Sequence, residues 1–210
     1  MSEPAETDSR QSTKSATKIA KIVDHGRDIF IQEGYAAMTI RRVAEEMGIS
    51  AGNLTYHFPT KDLLLQAIIE DCLERLEKGH DKAASHRTED PATRMRAYLE
   101  FLIEDSQQTS SQKFFYQLWI LTAHNKNLQS YKDRVYQHFL SNLMIELDLS
   151  RPDLRRPERR KKAFLVMSAI EGMNVLFGTS VDFRTQFGKL SGYLLDQLLL
   201  VIFVDRNIED

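Results

Sequence analysis

Residues 39–58 read TIRRVAEEMGISAGNLTYHF, two short helical patterns on either side of one glycine. Ile40, Val43, Ala44 and Met47 recur at helical spacing, which leaves Arg41, Arg42, Glu45 and Glu46 on the opposite face. Gly48 follows the last periodic residue, where a left-handed cap suits a residue without Cβ. Ser50 offers a hydroxyl N-cap for a second helix from Ala51 to about Phe58. Ile49 and Leu54 point back onto the first helix, so Ala51, Gly52, Asn53, Tyr56 and His57 face outward. Such a pair is a helix-turn-helix, whose second helix fits a DNA major groove. An ordinary helical hairpin in an all-α core shares this pattern, so the neighbouring residues carry weight.

Pro59-Thr60 stops the second helix, and Thr60 caps a third that begins Lys61-Asp62-Leu63-Leu64. Asp62 suits a helix N-terminus, whereas Lys61 opposes the macrodipole. A phosphate bound at that helix start gives the lysine a purpose. With these residues in place, GISAGNLTYHFPTKDLL resembles the signature of TetR-type (tetracycline-repressor-like) transcriptional regulators, over about Lys18 to Leu65.

That resemblance implies an all-α chain with an N-terminal three-helix DNA-binding domain and a C-terminal helical domain for ligand binding and dimerisation. It implies a ligand-responsive regulator, a repressor that holds a palindromic operator (an inverted repeat in double-stranded DNA) as a homodimer. A small-molecule effector releases it. Ser50, Gly52 and Asn53 then approach bases beside Ala51, with Asn53 able to pair with adenine. Thr39, Arg42, Tyr56, His57 and Lys61 hold phosphates and fix register. The family often carries two adjacent tyrosines where this chain has Thr55-Tyr56, which leaves that phosphate contact to Tyr56 or His57.

Lys14, Lys18 and Lys21 form one basic stripe opposite Ile19, Val23 and Phe30, with Ile22 and Ile29 beside them. The stripe is either a solvated face or a contact to the DNA backbone, and Lys18 joins the candidate set on the second reading. The first fourteen residues are polar, without the apolar segment of a signal peptide, and read as a disordered arm. The expected organisation is an arm over 1–14, a DNA-binding domain over 15–62 and an effector-binding and dimerisation domain over 63–210.

A formal net charge of −2 supplies no global positive field, so DNA binding must rest on a local patch. The single cysteine, Cys72, excludes an intramolecular disulfide and suits a small core position in a reducing cytoplasm. No stretch approaches about twenty continuous apolar residues, so no membrane span is expected. No metal site is expected either, because His124 and His138 lack close ligand spacing. Cofactors are likewise not expected. An enzyme or small-molecule carrier that keeps the helix-turn-helix only as architecture is the alternative, but no nucleophile set, P-loop or dinucleotide fingerprint supports catalysis.

Beyond Lys61 the periodicity predicts helices near 61–84, 91–108, 112–124, 127–148, 157–179 and 185–204. Within the last two, 163–178 and much of 194–204 are apolar nearly all round, where a surface helix needs one stripe. A second stripe calls for a second partner, and a two-fold four-helix seam between subunits supplies it. The basic run Arg151 to Lys162 reads as a solvated loop and helix start. An aromatic-rich stretch offers a ligand cavity: Phe101, Phe115, Trp119, Tyr136 and Phe139 for its walls, with Tyr116, Phe164 and Phe177 as further aromatics. His124, His138, Glu171 and Asn174, with Gln117 and Asn142, are its candidate polar groups, while Glu171-Gly172 also resembles an acidic-glycine pair of the family's eighth helix, which implies a structural role as readily. Each aromatic taken singly also suits plain core packing. Helix 61–84 is the expected lever between head and pocket.

Overall fold

The computed structural model describes residues 5–85, 90–178, 182, 185–186 and 190–205, with only the backbone of 5–14, 84, 124 and 178. Every regular element among them is helical: α1 Ala5–Glu33, α2 Ile40–Glu46, α3 Ala51–His57, α4 Lys61–Ala84 and α5 Pro91–Gln107, then α6 Thr109–His124, a 3-10 turn Lys126–Leu128, α7 Gln129–Ser150, α8 Arg156–Gly178 and α9 Ser191–Phe203. The α1 backbone is helical from Ala5, within the stretch read as an arm; Pro4 is the last helix breaker before it. Contacts gather the chain into two compact units, Met1–Cys72 and Leu73–Asp210, divided inside α4.

In the first unit, Ile22, Phe30, Met38, Val43, Leu54, Leu64, Leu65 and Ile68 are fully buried. The α4 positions 64, 65, 68, 69 and 72 repeat at helical period, so one face of its first three turns is core, Cys72 included. Ile19 is exposed and Ile22 is the first buried residue of α1 among those whose side chains are described. Gly48 adopts φ +64° after Met47, the left-handed turn its position demanded.

The second unit packs α5, α7, α8 and α9 around Met95, Leu99, Leu143, Leu147, Val166, Ile170, Leu198 and Ile202. Asp90 caps α5 by accepting from the Ala92 and Thr93 amides, with Pro91 in the first turn. Glu146 of α7 sits fully buried inside this unit. Burial alone would push its carboxyl up, but Arg94 donates two bonds of 2.6 Å and His80 lies 2.8 Å away. Together these hold it below the usual carboxylate range.

Most of the basic run is solvated as read, but its two ends, Arg151 and Lys162, are not. Arg151 is buried and donates to the Ile202 carbonyl at 2.6 Å, while Lys162 donates to the Val201 carbonyl at 2.7 Å. Both cations thus close the C-terminal end of α9, where the last carbonyls lack helical partners. Asp205 joins them, 2.6 Å from Arg151 and 3.2 Å from Lys162.

Candidate nucleic-acid interface and ligand cavity

The turn between α2 and α3 is built by local rules. Thr39 Oγ1 accepts from the Arg42 amide at 3.1 Å, and Ser50 Oγ accepts from the Asn53 amide at 3.2 Å. Each hydroxyl satisfies an orphan amide of a seven-residue helix, which has little stability of its own. Leu54 anchors α3 in the core, and Ser50, Ala51, Gly52, Asn53 and Tyr56 are left exposed. His57 is half-buried and meets the Tyr56 ring edge-on at 5.2 Å.

The charged candidates are already engaged within the first unit. The Lys18 ammonium donates to Asn53 Oδ1. Arg42 lies 2.9 Å from Glu46 and 3.2 Å from Glu33. The Lys61 ammonium rests 3.8 Å above the Tyr35 ring and donates to the Ala36 carbonyl at 3.3 Å. Burial pushes the Lys61 amine down, and neighbouring Asp62 offsets part of that. Tyr35, which sequence reasoning passed over, also donates to Asp62 and so organises the start of α4. Its position just after Gly34 was the available sign, since α1 must end there.

The second unit holds a cavity of about 510 Å³, part of it open to solvent. Of the candidates, Phe101, Phe115, Tyr136, His138, Phe139, Asn142, Glu171 and Asn174 line it together. Trp119 does not; its indole reaches the cavity only by donating to the Tyr136 hydroxyl. Tyr116 and Phe164 are exposed, and Phe177 packs against the core. The His124 side chain lies outside the described residues. Tyr98 and Asp105 line the cavity as well, unanticipated. Asp105 lies one turn after Phe101 on α5, the only hint the sequence offered.

Tyr136 donates to Glu171 Oε1 at 2.5 Å, and Asn174 Nδ2 lies 3.5 Å from Oε2. Burial pushes the Glu171 carboxyl up against the opposing pull of these donors and Trp119. Burial likewise raises Asp105, opposed by the Ser111 hydroxyl at 3.0 Å and by the Arg75 charge. Asn174 Oδ1 is buried without a hydrogen-bond partner. Gly79 of α4 admits the Phe101 ring so closely that a Cβ there would lie 2.1 Å from it. Glu77, His80 and Asp81 bring ligand atoms within 4.8 Å of one another, although His138 holds Glu77 at 3.1 Å and Glu146 holds His80.

Residues 22–68 match the profile of the bacterial regulatory proteins of the tetR family, a span that contains α2, α3 and the start of α4. Those residues form a tetR-type DNA-binding domain. The regulator BetI of Burkholderia cenocepacia is 26% identical over 184 residues, covering 86% of this chain and 93% of its own. BetI of Stenotrophomonas maltophilia is 25% identical over 141 residues, 67% of this chain and 70% of that protein.

Solved structures share the fold at lower identity. A transcriptional regulator from Rhodococcus sp. superposes with TM-score 0.71 at 18% identity, covering 88% of this chain and 95% of its own. A regulator from Saccharomonospora viridis, solved in complex with choline, gives 0.61 at 18% identity, covering 85% and 97%. The described residues are thus all-α, with a tetR-type helix-turn-helix near the N-terminus, and the chain is similar over most of its length to transcriptional regulators. None of the helices among the described residues is long and apolar enough to cross a membrane.

Proposed function

We propose that the protein represses transcription in the cytoplasm by binding an inverted repeat as a homodimer, and that a small molecule in the second-unit cavity releases it. The observation that carries this reading is the exposed face of α3, where Ser50, Ala51, Gly52, Asn53 and Tyr56 stand on a helix seven residues long. Residues 15–62 serve as the DNA-binding domain and 63–210 as the effector and dimer domain. Ser50, Gly52 and Asn53 read bases; Lys18, Thr39, Arg42, Tyr56, His57 and Lys61 take the backbone. In the DNA-free chain Lys18, Arg42 and Lys61 already have partners, so binding exchanges those contacts for phosphate.

TetR-family regulators bind DNA as dimers. Here α8 exposes Phe164, Leu165 and Leu176, and α9 exposes Tyr193 and Leu200. Exposed apolar residues this dense on two helices support a subunit seam through α8 and α9. A two-fold pair of α3 helices spaced about 34–36 Å apart reads successive major-groove faces.

The choline-bound relative supports small-molecule binding in this fold. Helix α4 contributes Leu64 and Ile68 to one unit and Leu76 to the cavity of the other, giving the signal a covalent path. No catalytic step is assigned; the relatives are named as transcriptional regulators.

Fragmented DNA from the source organism, retained on the purified protein and sequenced, tests the reading. One enriched inverted repeat is expected. Retention without a common sequence would remove it.

A further inference from the structure

We propose that the second-unit cavity is built for an organic cation, an ammonium whose charge faces Glu171 and whose N–H or O–H donor reaches Asn174 Oδ1. This rests on the effector reading above and narrows it to one ligand class.

The same unit shows how this fold treats a carboxylate that is purely structural. Glu146 is fully buried and receives a bidentate Arg94 together with His80. Glu171 receives neutral donors only, the Tyr136 hydroxyl and the Asn174 amide, and no cation pairs with it among the described residues. A buried carboxylate without a counter-charge is costly, and a ligand that supplies the charge recovers that cost on binding.

Asn174 gives an independent observation. It lines the cavity, is 7% exposed, and its Oδ1 is buried without a partner while its Nδ2 faces Glu171. An unpaired acceptor in a cavity wall asks for a ligand donor. Glu171 and Asn174 stand one turn apart on α8, so both are served by one polar head.

The walls fit the same ligand. Phe101, Phe115 and Phe139 join Tyr98 and Tyr136 around the space, and aromatic faces attract a desolvated cation. Asp105 adds a second acidic group, with Arg75 as its charged neighbour. Among the described residues the lining includes no lysine or arginine, and its histidine, His138, is engaged by Glu77 at 3.1 Å. An anionic ligand would meet two carboxylates. A neutral apolar ligand would leave half-buried Glu171 without a counter-charge and buried Asn174 Oδ1 without a donor.

Calorimetric titration of the full chain with phenethylammonium, phenethyl alcohol and phenylacetate separates the classes. The ammonium is expected to bind at least about tenfold tighter than the alcohol, as hydrogen bonds to charged groups allow, and phenylacetate weaker still. Glu171→Gln keeps an acceptor for Tyr136 but removes the charge, and should bring the ammonium close to the alcohol. A melting curve shows whether that variant folds; if it does not, the wild-type series alone decides. Equal or tighter binding of the alcohol or phenylacetate overturns the proposal. So does wild-type protein that binds none of the probes at millimolar concentration, or a folded Glu171→Gln that keeps the full preference. Anisotropy on the selected operator is read separately. Ammonium binding that leaves operator affinity unchanged upholds the cation site and removes its role as effector site. Failed calorimetry beside intact operator binding removes the cation site and leaves the regulator reading standing.

Discussion

Lys61 illustrates how one residue serves two states. Its ammonium rests over Tyr35 and on the Ala36 carbonyl, partly desolvated, at the start of α4. Rotation off that ring brings a charge and free helix amides to one phosphate. Lys61→Ala should therefore weaken binding to every duplex alike and lower the slope of log K against log salt by about one. An unchanged slope in a salt titration would take Lys61 out of the phosphate contacts.

Glu146 makes the opposite case, a charge held for structure. Its folded carboxyl titrates below the unfolded one, so its contribution is present above the usual glutamate value of about 4.3 and is lost as pH falls through the folded value. Acid denaturation followed by circular dichroism should show wild type losing stability across that range, with a shallower dependence in Glu146→Gln. Removing the partner instead, Arg94→Ala, leaves a buried carboxylate with only His80 beside it and should cost roughly 3–5 kcal/mol in urea unfolding.

At the scale of elements, α3 was legible because everything that makes it is local: Ser50 caps it, Gly48 turns before it and Leu54 anchors it. Ser50→Ala should cost about 0.5–2 kcal/mol and fray the first turn, with a matching loss of operator affinity. Operator affinity equal to wild type would mean DNA contacts alone order the helix. The start of α6 was less legible. The predicted helices 91–108 and 112–124 left 109–111 between them, but only Gln108 is extended, and Thr109-Ser110-Ser111 already form the first helical turn. Likewise a solvated run hid Arg151, whose carbonyl partner is fifty-one residues away.

The Gly79–Phe101 contact is also invisible in one dimension, since nothing in α4 periodicity announces a ring lying on its backbone. Gly79→Ala should force Phe101 off its seat and into a cavity it helps to line, lowering affinity for any ligand there. Calorimetry with phenethylammonium checks this; unaltered binding would mean the ring has another place to go.

At the scale of the molecule, the all-α course was legible in helical periodicity and turn chemistry. The long-range pairings were not, because no local rule joins Lys18 to Asn53 across thirty-five residues, or Arg94 to Glu146 across fifty-two. The cavity was half legible: aromatics at helical spacing pointed to it, but which of them face inward depends on packing between helices. Phe164 and Tyr116 face out, and Asp105 faces in.

The apolar surface on α8 and α9 belongs to this scale as well. Leu165 is 58% exposed, so Leu165→Glu should leave the monomer's melting behaviour nearly intact while sedimentation shows dissociation. A dimer that persists would move the seam elsewhere.

The central claim is that the exposed face of α3 reads sequence. The most direct measurement is the affinity of the full chain for its selected inverted repeat against a scrambled duplex of the same composition, at physiological salt, for wild type and Asn53→Ala. The account predicts a preference of about 10³-fold or more for the repeat, of which Asn53→Ala loses a large part while scrambled binding stays the same. Near-equal affinity for both duplexes, or a preference untouched by Asn53→Ala, would contradict it.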